Sequence, residues 1–143
     1  MIKAKKSLGQ NFLVDNNIIK RIAEVVAIEN KTLLEVGPGT GNLTSVLLEK
    51  KPKEIFAVEK DDNLALFLKE KFGNKIHIIN KDILGLNENL ISSEKLLVFG
   101  NLPYNISTEI LCKWILNIND KDFWFTNLIL MFQKEVADRI ISK

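Results

Sequence analysis

Residues 32–41 read Thr32-Leu33-Leu34-Glu35-Val36-Gly37-Pro38-Gly39-Thr40-Gly41. The apolar run over 32–36 predicts a buried strand, and the glycine at every second position from Gly37 predicts a tight turn ahead of a helix. That helix is expected over about 42–50, where apolar residues recur at helical spacing. Glycines let the backbone approach a ligand at a helix N-terminus, so this turn is a candidate binding element.

The alternation of strand and helix continues along the whole chain. Apolar strands are expected at 54–58, 76–79, 96–99 and 127–132, and helices at about 15–26, 61–72, 107–116 and 133–142. Nearly continuous apolar strands separated by helices are typical of a parallel sheet covered by helices on both faces. The expected fold is therefore α/β and Rossmann-like, in a single domain over residues 1–143, with every strand's carboxyl end at one edge of the sheet.

Composition excludes several classes of protein. Hydrophobic residues make up 46% and charged residues 27% of the 143 positions, as in ordinary globular domains. No apolar run approaches the roughly 20 residues that span a bilayer, and no apolar segment follows the first lysines as in a signal peptide. The single cysteine, Cys112, is predicted to be a buried thiol. One cysteine excludes an internal disulfide and fits a reducing compartment, so a cytoplasmic location is expected.

Two acidic residues end strands beside the glycine turn. Glu59 lies 22 positions after Gly37, where a carboxylate can accept both hydroxyl hydrogens of a ribose; a solvated charge at a strand end is the alternative. Asp82 can accept a hydrogen bond from an adenine amino group, with Ile83 against the base; a helix cap is the alternative. The glycine spacing is not the G-x-G-x-x-G dinucleotide pattern. These residues favour a nucleoside cofactor without a pyrophosphate, of which S-adenosylmethionine (SAM) is the obvious example.

The fourth strand ends in the stretch Val98-Phe99-Gly100-Asn101-Leu102-Pro103-Tyr104-Asn105-Ile106-Ser107-Thr108. Pro103 stiffens the turn, and Ser107 is predicted to cap the next helix. The purely structural interpretation is that this stretch is an ordinary strand-to-helix turn. The chemical interpretation starts from an adenine N6, a poor nucleophile because its lone pair is delocalised. The Asn101 side-chain oxygen and the Leu102 carbonyl would accept its two hydrogens, and Tyr104 would stack on a base held outside a duplex.

Four segments together carry a resemblance: residues 10–13, residues 35–41, residues 101–108 and residues 133–137, the last reading Gln-Lys-Glu-Val-Ala. They resemble the KsgA family of small-subunit ribosomal RNA adenine N6,N6-dimethyltransferases from end to end. The resemblance implies a catalytic centre at Asn101, Leu102, Pro103 and Tyr104. It also implies a SAM site lined by Asn11, Leu13, Gly37, Glu59, Asp82 and Asn101. We further expect Gly39, Lys60 and Ile83, which lie next to these positions, to contact SAM.

The resemblance further implies two methylations on each of two adjacent adenines near the 3′ end of small-subunit rRNA, with S-adenosylhomocysteine as the product. The expected partner is rRNA in a pre-30S-type particle, contacted by Lys3, Lys5 and Lys6, with no membrane or metal involved. Family members continue into further strands and a helical RNA-binding domain. We therefore expect residues 1–143 to be a catalytic-domain fragment cut before the last strands. The native protein is expected to be monomeric, and the fragment to self-associate and to be poorly active.

Three alternatives remain open from the sequence. A nicotinamide-dependent oxidoreductase would share the fold, although the glycine spacing and the lack of a hydride-handling acid argue against it. A large-subunit rRNA adenine methyltransferase of the erythromycin-resistance type would share the motifs. A non-catalytic ribosome-assembly factor would keep the fold and use the pocket only for quality control.

Overall fold

Strands and helices alternate along the part of the chain that the computed structural model describes, residues 1–118 and 123–143. The strands are β1 (Thr32–Val36), β2 (Glu54–Val58), β3 (His77–Ile79), β4 (Leu96–Asn101) and β5 (Phe125–Met131). The helices are α1 (Asn16–Ala23), α2 (Asn42–Glu49), α3 (Asp62–Phe72), α4 (Ser107–Leu116) and α5 (Lys134–Ile141). Single 3-10 turns lie at Lys6–Leu8, Gly73–Lys75, Ile83–Gly85 and Glu88–Leu90.

The strands form one parallel sheet in the order β3-β2-β1-β4-β5. Val36, the last residue of β1, pairs with Val58 of β2 on one side and with Gly100 of β4 on the other. This register brings the residues that follow β1 and β2 level with the end of β4. The predicted parallel α/β sheet is confirmed, and its carboxyl edge is where the predicted site residues meet.

Helices cover both faces of the sheet, as alternate residues of each strand point to opposite sides. Leu33 of β1 packs into a cluster with Ile19 of α1 and Leu47 of α2. Its neighbour Leu34 belongs to the opposite cluster, which contains Trp114 of α4. The two apolar layers explain why the strands read as nearly continuous hydrophobic runs.

Aspartate caps start two of the helices. Asp15 accepts hydrogen bonds from the backbone N–H groups of Asn17 and Ile18 at the start of α1. Asp61 does the same for Asn63 and Leu64 at the start of α3. Satisfying these otherwise unpaired N–H groups stabilises each helix start by about 1 kcal/mol.

The predicted cap of α4 is wrong. Ile106 occupies the cap position, and no side chain caps this helix. Helical hydrogen bonding starts one residue early, because Ile110 N–H already bonds to the Ile106 carbonyl. Ser107 is therefore the first helical residue, buried, with its hydroxyl 3.5 Å from the Tyr104 carbonyl oxygen.

Cys112 is exposed, so its predicted burial is also wrong. The buried face of α4 passes through Ile110 and Trp114, which are one helical turn apart, and Cys112 lies between them on the other side. Strand ends differ by small amounts. β4 continues through Asn101 because its pairing with β5 persists to Met131. No helix in the described parts of the chain is long and apolar enough to cross a membrane.

We expect the 143-residue chain to self-associate, because β5 is an edge strand of the described sheet. Leu128, Ile129 and Leu130 are only partly buried, and an apolar edge with unpaired backbone groups favours pairing with another chain. Light scattering over a range of concentrations should show a mass that rises above 16.3 kDa. A constant monomer mass at high concentration would contradict this expectation.

Candidate functional site

An open cleft lies at the carboxyl edge of the sheet. It encloses about 810 Å³ of empty space, including its mouth. The predicted site residues that line it are Asn11, Gly37, Gly39, Glu59, Lys60, Asp82, Ile83, Asn101 and Pro103. The structure therefore brings together residues that are separated by up to 92 positions in the sequence.

The glycine turn after β1 forms part of the cleft from backbone alone. Gly37 has φ +70°, and a Cβ there would lie 2.5 Å from the Asn101 carbonyl oxygen. Gly39 has φ +59°, and a Cβ there would lie 3.1 Å from the Phe12 ring. A side chain at Gly37 would thus be strained and would clash with β4. These glycines keep the turn close to the end of β4.

Glu59 follows β2 and is 7% exposed. Its Oε1 accepts the Asp61 N–H at 2.9 Å, and its backbone carbonyl accepts the Asn80 side-chain amide at 3.0 Å. Burial raises the pKa of the Glu59 carboxyl, opposed by backbone hydrogen bonds including that of Asp61. The carboxylate is held in one orientation at the cleft wall, as a ribose acceptor requires.

Asp82 follows β3 and uses both carboxylate oxygens. Oδ1 accepts the Leu84 N–H at 3.0 Å, and Oδ2 bonds to the Lys60 ammonium at 2.7 Å. These partners, Lys60 first, hold the pKa of the Asp82 carboxyl below its ordinary value. Asp82 therefore does cap the 3-10 turn Ile83–Gly85, as the alternative interpretation of this residue predicted. Because a carboxylate oxygen can accept more than one hydrogen bond, the predicted contact with adenine is compatible with it and stays a prediction.

Asn101 ends β4 with its side-chain amide fixed. Nδ2 donates to the Asn11 carbonyl oxygen at 2.6 Å. A carbonyl can only accept, so this bond identifies the NH2 group and leaves Oδ1 as the acceptor of the side chain. The Asn101 oxygen is thus oriented before any ligand arrives.

Two other predicted catalytic residues and one predicted cofactor residue lie outside the cleft lining. Leu102 is 6% exposed and packs in the core beside α4. Tyr104 is 47% exposed, with its hydroxyl 3.4 Å from the Lys6 carbonyl oxygen. Leu13 packs against the opposite core, and its carbonyl accepts the Asn42 amide at 2.9 Å. The Leu102 carbonyl and the exposed Tyr104 ring stay candidates for contact with a base.

The amino-terminal segment, residues 5–9, contacts both the residues that follow β2 and those that follow β4. Lys5 forms an ion pair with Asp61 at 2.5 Å, next to Glu59. The Gly9 carbonyl accepts the Tyr104 N–H at 3.4 Å on the β4 side. Lys3 and Lys6 are exposed, while the Lys5 side chain is about half exposed in its ion pair. RNA contact by these lysines stays a prediction.

Several lining residues were not predicted. The cleft is also lined by Ser7, Leu8, Gly9, Gln10, Phe12, Lys81, Asn105 and Ile106. Gln10, Phe12, Asn105 and Ile106 lie inside the segments that carry the family resemblance, so a signal for them was available. Lys81 had no signal beyond its position just before Asp82. Its exposed ammonium adds positive charge to the cleft wall.

Glu35 predicts a pH dependence of stability. It is 1% exposed, accepts the Thr44 hydroxyl at 2.6 Å, and burial raises its pKa to about 7 from 4.5. Between those pH values the folded chain keeps a proton that the unfolded chain releases. Stability should therefore fall by about 3 kcal/mol as pH rises from 4.5 to 7. Glu35→Gln should remove this contribution. Urea unfolding of both chains at several pH values tests it; parallel stability curves would contradict it.

The described residues contain no group of three His, Cys, Asp or Glu side chains that could hold a metal ion. Instead, the cleft combines a glycine turn at the start of a helix, a buried carboxylate after the neighbouring strand and an oriented amide after β4. A parallel sheet in the order β3-β2-β1-β4-β5 with these features defines the class of Rossmann-like α/β methyltransferases.

Comparison with known proteins agrees with this class. A sequence profile described as "Ribosomal RNA adenine dimethylase" matches residues 1–143. The chain is 64% identical over 142 residues to the "Ribosomal RNA small subunit methyltransferase A" of Pelagibacter ubique, covering 99% of this chain and 54% of that protein. Among solved structures, a dimethyladenosine transferase from Plasmodium falciparum superposes with a TM-score of 0.77 at 27% identity, covering 93% of this chain and 47% of the other. The 23S rRNA methyltransferase ErmE gives 0.70 at 29% identity, covering 90% and 50%.

The chain belongs to the ribosomal RNA adenine dimethylase family. It spans about half the length of the curated relatives that it matches.

Proposed function

We propose that this chain is the SAM-binding part of a protein that dimethylates N6 of two adjacent adenines near the 3′ end of small-subunit rRNA. The observation that carries the proposal is the amide of Asn101, whose orientation Asn11 fixes in the same cleft as the buried carboxylate of Glu59. An oriented acceptor next to a nucleoside-type pocket is what a methyl transfer to an exocyclic amine needs.

The cleft fits SAM. Gly37 and Gly39 let the turn pack closely against Asn101 and Phe12, and both glycines line the cleft, where their backbone would contact the ligand. Glu59 would accept the ribose hydroxyls, Asp82 the adenine amino group, and Ile83 would pack against the base. When bound, SAM supplies an electrophilic methyl group on a positively charged sulfur. The carboxylates of Glu59 and Asp82 place negative charge in the same cleft.

Asn101, at the end of β4, and Leu102, the next residue, would bind the adenine that accepts the methyl group. Oδ1 of Asn101 and the carbonyl of Leu102 would accept the two hydrogens of the target N6, so that its lone pair points toward the methyl donor. In the transfer, N6 would gain the methyl group as the donor's carbon–sulfur bond breaks, and N6 would release a proton to solvent. Tyr104, half exposed between the cleft-lining residues Pro103 and Asn105, would stack on the target base. Positioning of the two reactants supplies the acceleration.

The choice of RNA rests on the relatives. The Pelagibacter ubique protein is named for the small ribosomal subunit, and its identity to this chain is 64%, against 29% for ErmE, which is named for 23S rRNA. We propose a pre-30S-type particle in the cytoplasm as the substrate and a monomer as the native state. The exposed Lys3 and Lys6, with Lys81 at the cleft, would lie near RNA phosphates.

Calorimetric titration separates the proposal from its oxidoreductase alternative. The full-length protein should bind SAM and S-adenosylhomocysteine and show no heat with NAD. Binding of NAD without binding of SAM would contradict the proposal.

A further inference from the structure

A buried ionic cluster lies behind the turn that follows β3, outside the cleft. The Lys113 ammonium, on α4, bonds to the backbone carbonyls of Ile83 at 2.7 Å and Leu86 at 2.5 Å. It also pairs with the carboxylate of Glu88 at 2.7 Å. All three acceptors lie within six residues of Asp82. One side chain therefore holds this whole turn from behind.

The cluster is built into the core. Glu88 is 2% exposed and also accepts the indole N–H of Trp114 at 2.7 Å, and Trp114 itself is fully buried. The Lys113 side chain is 19% exposed. A buried carboxylate without its cation is costly, as are backbone carbonyls left without donors. These interactions therefore fix the position of the turn relative to α4.

The turn after β3 and the segment that leads into α4 line the same cleft. The turn presents Asp82 and Ile83 to the cleft, and Asp82 caps this same turn through Leu84. Helix α4 begins directly after the Asn101–Ile106 segment, which contributes Asn101, Pro103 and Ile106 to the same cleft. Lys113 connects α4 to the turn by hydrogen bonds to the Ile83 and Leu86 carbonyls.

We propose that Lys113 is a positioning residue that sets the Asp82–Leu86 turn for recognition of the cofactor's adenine. The inference rests on the proposed SAM site. Lys113 itself would not contact the cofactor. Its ammonium would hold the carbonyls of Ile83 and Leu86, so that the Asp82 carboxylate stays in place to accept the adenine amino hydrogen and Ile83 stays against the ring. Losing Lys113 should therefore weaken discrimination between bases, not merely stability.

The test measures base discrimination in the full-length protein. Calorimetry compares S-adenosylhomocysteine with S-inosylhomocysteine, in which a ring carbonyl replaces the adenine amino group. The carbonyl would face the Asp82 carboxylate without a hydrogen to donate, so the natural sequence should favour the adenosyl ligand by about tenfold or more. Lys113→Met should reduce that preference to about twofold, whereas Lys113→Arg, which keeps a cation, should restore part of it.

The matched control is Lys53→Met, which removes another lysine–glutamate pair, Lys53 with Glu94, away from the cleft lining. This control should keep the full preference. An unchanged preference in Lys113→Met would overturn the inference while leaving the proposed function intact. Failure of the natural sequence to bind S-adenosylhomocysteine would overturn the proposed function and this inference with it. Binding without any preference for adenosine would overturn the inference alone.

Thermal unfolding of each variant separates folding from positioning. If Lys113→Met does not fold, Glu88→Gln takes its place, since the amide keeps the acceptor for Trp114 and removes the charge that holds the ammonium. Its preference should fall below that of the natural sequence. An unchanged preference in Glu88→Gln would then overturn the inference.

Discussion

Asn101→Ala should lower the rate of methyl transfer by about 10²–10³-fold, the usual cost of removing one oriented hydrogen-bond group from a transition state. Although Asn101 is also among the predicted SAM-site residues, its Oδ1 would bind the target N6, and Glu59 and Asp82 would hold the ribose and the adenine of SAM. The affinity for SAM should therefore change by only a few-fold. Steady-state kinetics with rRNA particles, together with calorimetric titration of SAM, separates the two effects.

The control for this variant is Asn127→Ala, an exposed asparagine on the neighbouring strand β5. It should keep both rate and affinity. Asn101→Ala also removes the 2.6 Å bond to Asn11, so its thermal unfolding is measured alongside. A folded Asn101→Ala protein that methylates at the natural rate would exclude the proposed role of the amide.

Glu59→Ala should weaken SAM binding by about 100-fold. A carboxylate accepting two ribose hydroxyls makes two charge-assisted hydrogen bonds, and their loss costs about 3 kcal/mol. Glu59 is 7% exposed and tied to Asp61, so its carboxylate needs little reorganisation to receive a ribose. Calorimetry on the full-length protein measures the change.

Two further variants test whether the loss of SAM affinity comes from the Glu59 carboxylate. Glu54→Ala removes an exposed glutamate from the start of the same strand and should leave SAM affinity unchanged. Glu59→Gln keeps the size and one acceptor oxygen for the Asp61 N–H, but loses the charge, and should fall between Glu59→Ala and the natural sequence. Natural affinity in a folded Glu59→Ala protein would show that the ribose lies elsewhere.

The fold was predictable because its signals are local. The bounds of β1, β2 and α4 match the expectation. The apolar runs of β1 and β2 end directly before Gly37 and Glu59. The helices expected from about 15 and 61 do start there, with Asp15 and Asp61 as their caps. The errors at Ser107 and Cys112 arise where the Pro103 turn sets the start and the rotation of α4. The helical spacing of Ile110 and Trp114 does mark the buried face that excludes Cys112, whereas the start of α4 depends on the geometry of the turn.

The site was predictable only in part. Parallel strands place Gly37, Glu59, Asp82 and Asn101 at one edge regardless of sequence details, and the cleft there contains all four. The contacts between Lys5 and Asp61 and between Lys113 and Ile83 join residues 56 and 30 positions apart. Such pairings depend on how α3, α4 and the amino-terminal segment pack, which a single sequence does not reveal.

Methyl transfer from SAM to adjacent adenines of small-subunit rRNA is the reaction that we propose for the full-length protein. Its most direct test is mass spectrometry of rRNA from particles that lack these modifications, after incubation of the full-length protein with SAM. The expected result is a gain of four methyl groups, two on N6 of each of two adjacent adenines near the 3′ end of the small-subunit rRNA. Unmodified small-subunit rRNA, or methylation of large-subunit rRNA instead, would contradict the proposed function.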